Sequence, residues 1–170
     1  STYNFISKKN DIRGIHVAIS GVGKVGGKLA KLLSNAGVIV TASSINPDLI
    51  NKLKKEIPIQ ETNPTSLFKT KCDIISPCAL GKAINEDNKT LLKCKAIVGA
   101  ANNQLDNYET SEWLLRNNIL YCPDYLVNSG GVIAIASEIN NTKEIDLRLS
   151  HRHNCCQPRG RDQKIRLATE

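Results

Sequence analysis

Aromatic side chains are scarce in this sequence. Two Phe, one Trp and four Tyr in 170 residues leave the core to Ile, Val, Leu and Ala. No stretch approaches the roughly 20 apolar residues needed to cross a bilayer, so no membrane partner is expected. Ser1–Asn10 is polar and lacks the apolar run of a secretory signal, and a cytoplasmic location is expected. None of the six cysteines forms a C-x-x-C pair, which removes the common redox and zinc spacings. Cys72, Cys78, Cys94 and Cys122 lie in apolar or strand-like surroundings, where Cys behaves as a small buried hydrophobe. A disulfide framework is therefore not expected. Aromatics are also absent between the basic residues Arg152, Arg159, Arg161, Lys164 and Arg166 near the end of the chain, so a base-stacking surface is not supported. The rest of the net charge of +7, including Lys8, Lys9, Lys52, Lys54 and Lys55, reads as solvated loop and helix faces. No nucleic-acid partner is expected; a nucleic-acid-binding reading would rest on the tail alone.

What is present is a chain of one-domain length, long enough to hide roughly 70% of its unfolded surface. Short apolar runs alternate with amphipathic stretches, the pattern of βαβ units around a parallel sheet. The expected class is α/β: a Rossmann-like, doubly wound, mostly parallel sheet with helices on both faces. Strands are predicted at His16–Ser20, Val38–Ala42, Lys71–Ser76, Ala96–Gly99 and Leu120–Cys122. A helix is predicted over Lys24–Ala36, with Val25, Leu29, Leu32 and Leu33 sharing one face and Gly37 as its stop. A second runs to about Glu56, opened by Asn46 as N-cap and Pro47 in the first turn. Further helices are predicted from Asn85-Glu86-Asp87, over Glu109–Asn117, and from an Asn128-Ser129 cap to about Glu138. The expected organisation is a dinucleotide-binding domain over residues 1–150 and a basic, irregular tail over 151–170.

Gly21-Val22-Gly23-Lys24-Val25-Gly26 is a complete G-x-G-x-x-G. It directly follows one predicted strand, opens a helix, and is followed by a second strand, which is the context that gives the pattern meaning. Gly21 would allow the tight turn, Gly23 the approach of a pyrophosphate, and Gly26 close helix–strand packing. The helix N-terminus would supply free N–H groups to the phosphates. A glycine-rich turn that only packs a helix is the alternative, and some methyltransferases place a similar loop after a first strand. The acid that usually holds the ribose 2′-hydroxyl falls near Ser44, eighteen positions after Gly26. With no carboxylate there to repel a 2′-phosphate, NAD is the expected cofactor and NADP is expected to be tolerated; Lys52, Lys54 or Lys55 would add charge.

Three more segments complete the picture: Cys72-Asp-Ile-Ile-Ser-Pro-Cys-Ala-Leu-Gly81, Gly99-Ala-Ala-Asn-Asn-Gln-Leu105, and Pro123-Asp-Tyr-Leu-Val-Asn-Ser-Gly-Gly-Val132. With Arg13-Gly14 they resemble, in register over about residues 11 to 138, the second domain of the glutamate/leucine/phenylalanine/valine dehydrogenase family. The Ala-Ala-Asn-Asn-Gln-Leu segment is similar to the leucine/phenylalanine/valine branch. The resemblance implies reversible oxidative deamination of a small apolar L-amino acid to a 2-oxo acid, with hydride passing to nicotinamide, and a homo-oligomer for the full-length protein. Cys78-Ala79, Ala100-Ala101-Asn102 and Asn128 sit just past predicted strands, where ligands of such folds bind. The resemblance makes Asn102 and Asn128 nicotinamide and substrate contacts; a capping or turn role is the alternative for each. The family's catalytic lysines and aspartate belong to a separate N-terminal substrate domain, and no Lys here occupies one of its motifs, so no catalytic residue is assigned. A non-catalytic dinucleotide-binding remnant is the competing reading.

After about Asn140 the resemblance ends, and a truncated or frameshifted gene product is expected. His151, His153, Cys155 and Cys156 fit no common zinc spacing, and no metal site is assigned.

Overall fold

The computed structural model describes residues 11–79 and 81–128, all of them within one unit that ends at Asn128. The helix expected from Asn128-Ser129, the boundary near 150, the basic tail and the His151–Cys156 cluster lie outside the described residues.

Six parallel strands form one sheet: β1 (His16–Ser20), β2 (Ile39–Ser43), β3 (Gln60–Glu61), β4 (Ile74–Pro77), β5 (Ala96–Ile97) and β6 (Leu120–Tyr121). Their order is β3-β2-β1-β4-β5-β6, the doubly wound order of dinucleotide-binding sheets. The chain winds outward from β1 to β3, then returns to lay β4 against the other side of β1. Register is set by the β-branched runs: Val17 pairs with Val40 and Ile74, and Ile19 with Ala42 and Ser76. Side chains alternate across the sheet. Val17 and Ile19 enter a core with Val40, Ala42, Ile50 and Leu53. Ala18 and Ile75 enter a second core on the opposite face with Leu67, Ile97 and Leu114.

The helices follow their caps. In α1 (Lys24–Asn35), Gly23 is the N-cap and offers no side chain. In α2 (Pro47–Glu56), Asn46 Oδ1 accepts from the Asp48 amide at 2.9 Å. The same Asn-Pro chemistry starts α3 (Pro64–Leu67), where Asn63 caps Ser66. Asn107 caps α4 (Tyr108–Arg116), and α5 (Asp124–Val127) follows Pro123.

Several expectations are corrected. β3, α3 and α5 were not anticipated. No α-helix begins at Asn85. The Asn85 and Asn88 side chains bond neighbouring backbone amides and the Ala83 carbonyl, leaving only a 3₁₀ turn at Lys89–Leu91; such local bonds compete with helix. The strand expected over Lys71–Ser76 starts at Ile74 and includes Pro77, and the one expected to Gly99 stops at Ile97. The inward face of α1 is also different. Gly26 and Ala30 are buried, with Leu29 and Leu33 beside them, whereas Val25 and Leu32 are 59% and 61% exposed. The helix sits on its small residues.

No disulfide joins the described cysteines. Burial pushes the Cys72 thiol up to about 12 and the Cys94 thiol up to about 11, so both stay protonated and unreactive at neutral pH. Among the described residues no helix is long and apolar enough to cross a membrane.

Asp73 ties distant segments together. Its carboxylate accepts from the His16 amide at 3.0 Å and from Lys95 Nζ at 2.7 Å. Partial burial would raise its pKa, but these two donors outweigh it and the net shift is downward. A lowered folded-state pKa stabilises above the unfolded value and is lost as pH falls through the folded one. Asp73→Asn should therefore cost about 1 kcal/mol at pH 7, and the difference from the parent should vanish in acid; urea melts at pH 7 and pH 3 will show whether it does. Alkylation at pH 7.5 followed by peptide mass spectrometry should leave Cys72 and Cys94 unmodified until guanidinium is added.

Candidate cofactor site

The site lies at the carboxyl ends of the strands, around the point where the strand order reverses between β1 and β4. Three backbone bonds gather it. The Gly21 amide donates to Ser43 O at 2.9 Å, the Cys78 amide to Ser20 O at 2.7 Å, and the Ala101 amide to Pro77 O at 2.9 Å. The loops after β1, β2, β4 and β5 are thereby stitched edge to edge.

The glycines do three different things. Gly21 has φ +91°, and a Cβ there would stand 2.8 Å from Ala79 Cβ. A Cβ on Gly26 would stand 1.9 Å from the Gly21 carbonyl oxygen and 3.0 Å from Cys78 Cβ. Gly23, in contrast, faces open space, with none of the described residues within 4 Å of where its Cβ would stand. Gly23 also caps α1 without a side-chain bond, and the first bond into the helix is Gly27 N–H to Gly23 O at 2.8 Å. The amides of the first turn thus lack a side-chain cap beside an open space, an arrangement that accepts phosphate oxygens. The Val25 side chain points outward, so Val25 offers the loop only its backbone.

Val22, Gly23, Lys24 and Gly27 line one wall of an open groove of about 400 Å³, with Lys28 and Lys31 below them and Leu49, Lys52 and Leu53 of α2 opposite. Lys31 is paired with Glu56. Lys54 is held by Glu61 at 2.6 Å, away from the groove, and Lys55 does not line it. At the end of β2, Ser44 turns its Oγ to accept from the Asn46 amide at 3.1 Å, which leaves the hydroxyl proton to be donated elsewhere.

On the far side of β4, Ala100, Ala101 and Asn102 follow β5. Asn128 Nδ2 donates to Asn102 Oδ1 at 2.8 Å and to Ala100 O at 3.2 Å. Apart from Ser44, which stands at the end of β2, the expected site residues form two groups: Gly21–Gly26 with Cys78 and Ala79, and Ala100–Asn102 with Asn128. Pro77 joins them through its bond from Ala101. Two residues were not anticipated as supports. Gln104 is fully buried and its Nε2 donates to Gly99 O at 2.8 Å, while its Oε1 has no partner among the described residues. Asp124 accepts from the Asn103 amide at 2.5 Å. Gln104 was visible as a polar residue inside an apolar loop motif; Asp124 gave no such signal. No cluster of three His, Cys, Asp or Glu that could hold a metal occurs among the described residues.

The family model described as Glutamate/Leucine/Phenylalanine/Valine dehydrogenase matches residues 2–149. A leucine dehydrogenase of Thermoactinomyces intermedius is 38% identical over 130 residues, covering 76% of this chain and 36% of that protein. A phenylalanine dehydrogenase of the same organism is 38% identical over 146 residues, covering 85% and 40%. The crystal structure of L-tryptophan dehydrogenase from Nostoc punctiforme superposes with a TM-score of 0.83 at 32% identity, covering 90% of this chain and 47% of that one. The chain thus spans about two fifths of the length of the curated relatives it matches.

The glycines provide a direct test of this geometry. Gly23→Ala should fold with a loss of no more than about 1 kcal/mol, the usual difference at an N-cap. Gly26→Ala should lose at least about 2 kcal/mol through overpacking. Thermal melts of the two variants should separate clearly; equal losses would contradict the packing described.

Proposed function

The chain belongs to the glutamate/leucine/phenylalanine/valine dehydrogenase family, and we propose that it is the nicotinamide-dinucleotide-holding part of an enzyme that oxidatively deaminates a small apolar L-amino acid to a 2-oxo acid. The observation that carries this reading is the pairing of Gly23 with an uncapped α1. Open space and first-turn amides without a side-chain cap coincide there, directly above the β1–β4 reversal. The residues present fit a dinucleotide. The first-turn amides of α1 would take the diphosphate, Cys78 and Ala79 would wall the centre, and the small Ala100 and Ala101 would leave room for a flat ring beside Asn102 and Asn128. When bound, the dinucleotide supplies the acceptor for the hydride of the amino acid's α-carbon.

This chain's share of the reaction is binding and orientation. No described side chain at the edge stands as a general base of the substrate, and the proton-handling groups are assigned to a further domain. That assignment accords with a chain spanning 36% and 40% of its relatives. A domain over residues 1–150, a homo-oligomeric full-length protein and a cytoplasmic site of action form part of the same proposal.

NADP is proposed to bind as well as NAD. The end of β2 carries Ser43-Ser44-Ile45-Asn46 and no carboxylate, and the Ser44 hydroxyl can donate to a hydroxyl or a phosphate. Lys24, Lys28 and Lys52 line the neighbouring groove, so Lys52 is the member of the original lysine trio suited to meet a 2′-phosphate. Calorimetric titration should give dissociation constants for NAD and NADP within about tenfold of each other, a gap of 1.4 kcal/mol. A hundredfold preference for NAD would overturn the dual specificity. Absence of binding by both would overturn the cofactor reading itself. Gly23→Ala should weaken both ligands by about tenfold or more, because its Cβ occupies the space reserved for phosphate.

A further inference from the structure

The groove between α1 and α2 holds more positive charge than a dinucleotide uses. Its walls are two helix faces: Lys24, Gly27, Lys28 and Lys31 on α1, and Leu49, Lys52, Leu53 and Glu56 on α2. Each set has the spacing of residues that stack along one side of a helix. Lysines one turn apart repel one another, and cations near a helix N-terminus oppose its dipole. α1 has no acid to offset either effect. Lys31 is paired with Glu56, whereas Lys24 and Lys28 pair with no described residue. Lys31, with a smaller pull from Lys52, holds the Glu56 carboxyl below its ordinary value. One carboxylate therefore stands among four lysines. A diphosphate at the glycine loop accounts for Lys24. Lys28 and Lys31 lie about 6 and 10 Å further along the helix axis, beyond the loop that would hold it.

The same groove has an apolar lining. Val22 and Leu53 are buried in it, Leu49 is 39% exposed beside them, and Gly27 leaves the middle of the α1 wall without a side chain. Its volume of about 400 Å³ is that of a small-molecule site. Both walls are helices, whose amides beyond the first turn are spent internally, so an extended peptide would find no main-chain partners. An inorganic anion would satisfy the lysines and leave the leucines wet. A neutral apolar molecule would do the reverse. We propose that the groove is a second ligand site, for a phosphomonoester with an apolar or aromatic body, its phosphate between Lys28 and Lys52 and its body on Leu49, Leu53 and the gap at Gly27. Such an ester carries close to two negative charges at neutral pH, and ammonium groups bind phosphate as point charges. Glu56 repels the phosphate from the end of the groove that it shares with Lys31. The site stands independently of the dinucleotide reading, and NAD, which has no 2′-phosphate, leaves it free.

Calorimetry on the full chain tests this with 2-naphthyl phosphate and with its two halves, inorganic phosphate and 2-naphthol. The ester should bind one to one and at least about tenfold tighter than either half, equally well with and without saturating NAD. Lys28→Gln and Leu49→Gln should each weaken the ester by about tenfold, while melting as the unaltered chain does and binding NAD unchanged. Glu56→Gln, which frees Lys31 and removes the repelling carboxylate, should tighten it several-fold. An ester that binds no tighter than its halves overturns the proposal. So does one whose affinity none of the three substitutions changes. Displacement of the ester by NAD would put it in the cofactor site and overturn the proposal too. Absence of NAD binding, with the ester still held through Lys28 and Leu49, would overturn the cofactor reading and sustain this one.

Discussion

The architecture of the ligand edge depends on how closely α1 approaches the turn beneath it. Gly26 brings the first turn of the helix against the Gly21 carbonyl, and only a residue without Cβ permits that approach. The consequence is positional. The helix N-terminus, with its unspent amides, lies directly over the ends of β1 and β4, instead of a few ångströms to one side. Burial of Ala30, with Leu29 and Leu33 beside it, follows from the same close seat, as does the outward turn of Val25 and Leu32. A larger residue at 26 would lift the helix, and the open space at Gly23 would no longer face the strand ends.

The opposite half of the edge is held by polar groups in place of close packing. Its strands are only two residues long, so the ladder alone cannot fix the loops that follow them. Gln104, Asp124 and Asn128 do so by bonding loop backbone directly. The glycine-loop half is thus shaped by sterics and the half after β5 by hydrogen bonds. This division suits ligands with one highly charged end and one flat, weakly polar end.

Much of this was readable from the chain. The β-branched runs read at His16–Ser20 and Val38–Ala42, the second of which the structure moves one residue on to Ile39–Ser43, and the glycine loop between them identify the first βαβ unit, because the period of side-chain burial and the turn chemistry agree. Asn46-Pro47 was read as a helix start, yet the same pair at Asn63-Pro64 was not, since a four-residue helix shows no periodicity. β3 is two exposed polar residues and carries no strand signal. The Asn85 segment looked helical by its charges, but side-chain bonds to local backbone won. Least readable were the contacts between residues far apart in sequence. Asp73 with His16, and Asn128 with Asn102, are 57 and 26 positions apart, and nothing local announces either.

The contrast between Gly23 and Gly26 bears on how such a protein would drift. Gly26 is guarded by folding itself, so a lineage that abandoned its ligand would keep it for as long as it kept the fold. Gly23 has no close neighbour among the described residues, and as an N-cap it is held by folding far more weakly than Gly26. Relaxed selection on a ligand would therefore reach the middle glycine before Gly21 and Gly26, which the packing of the turn itself retains.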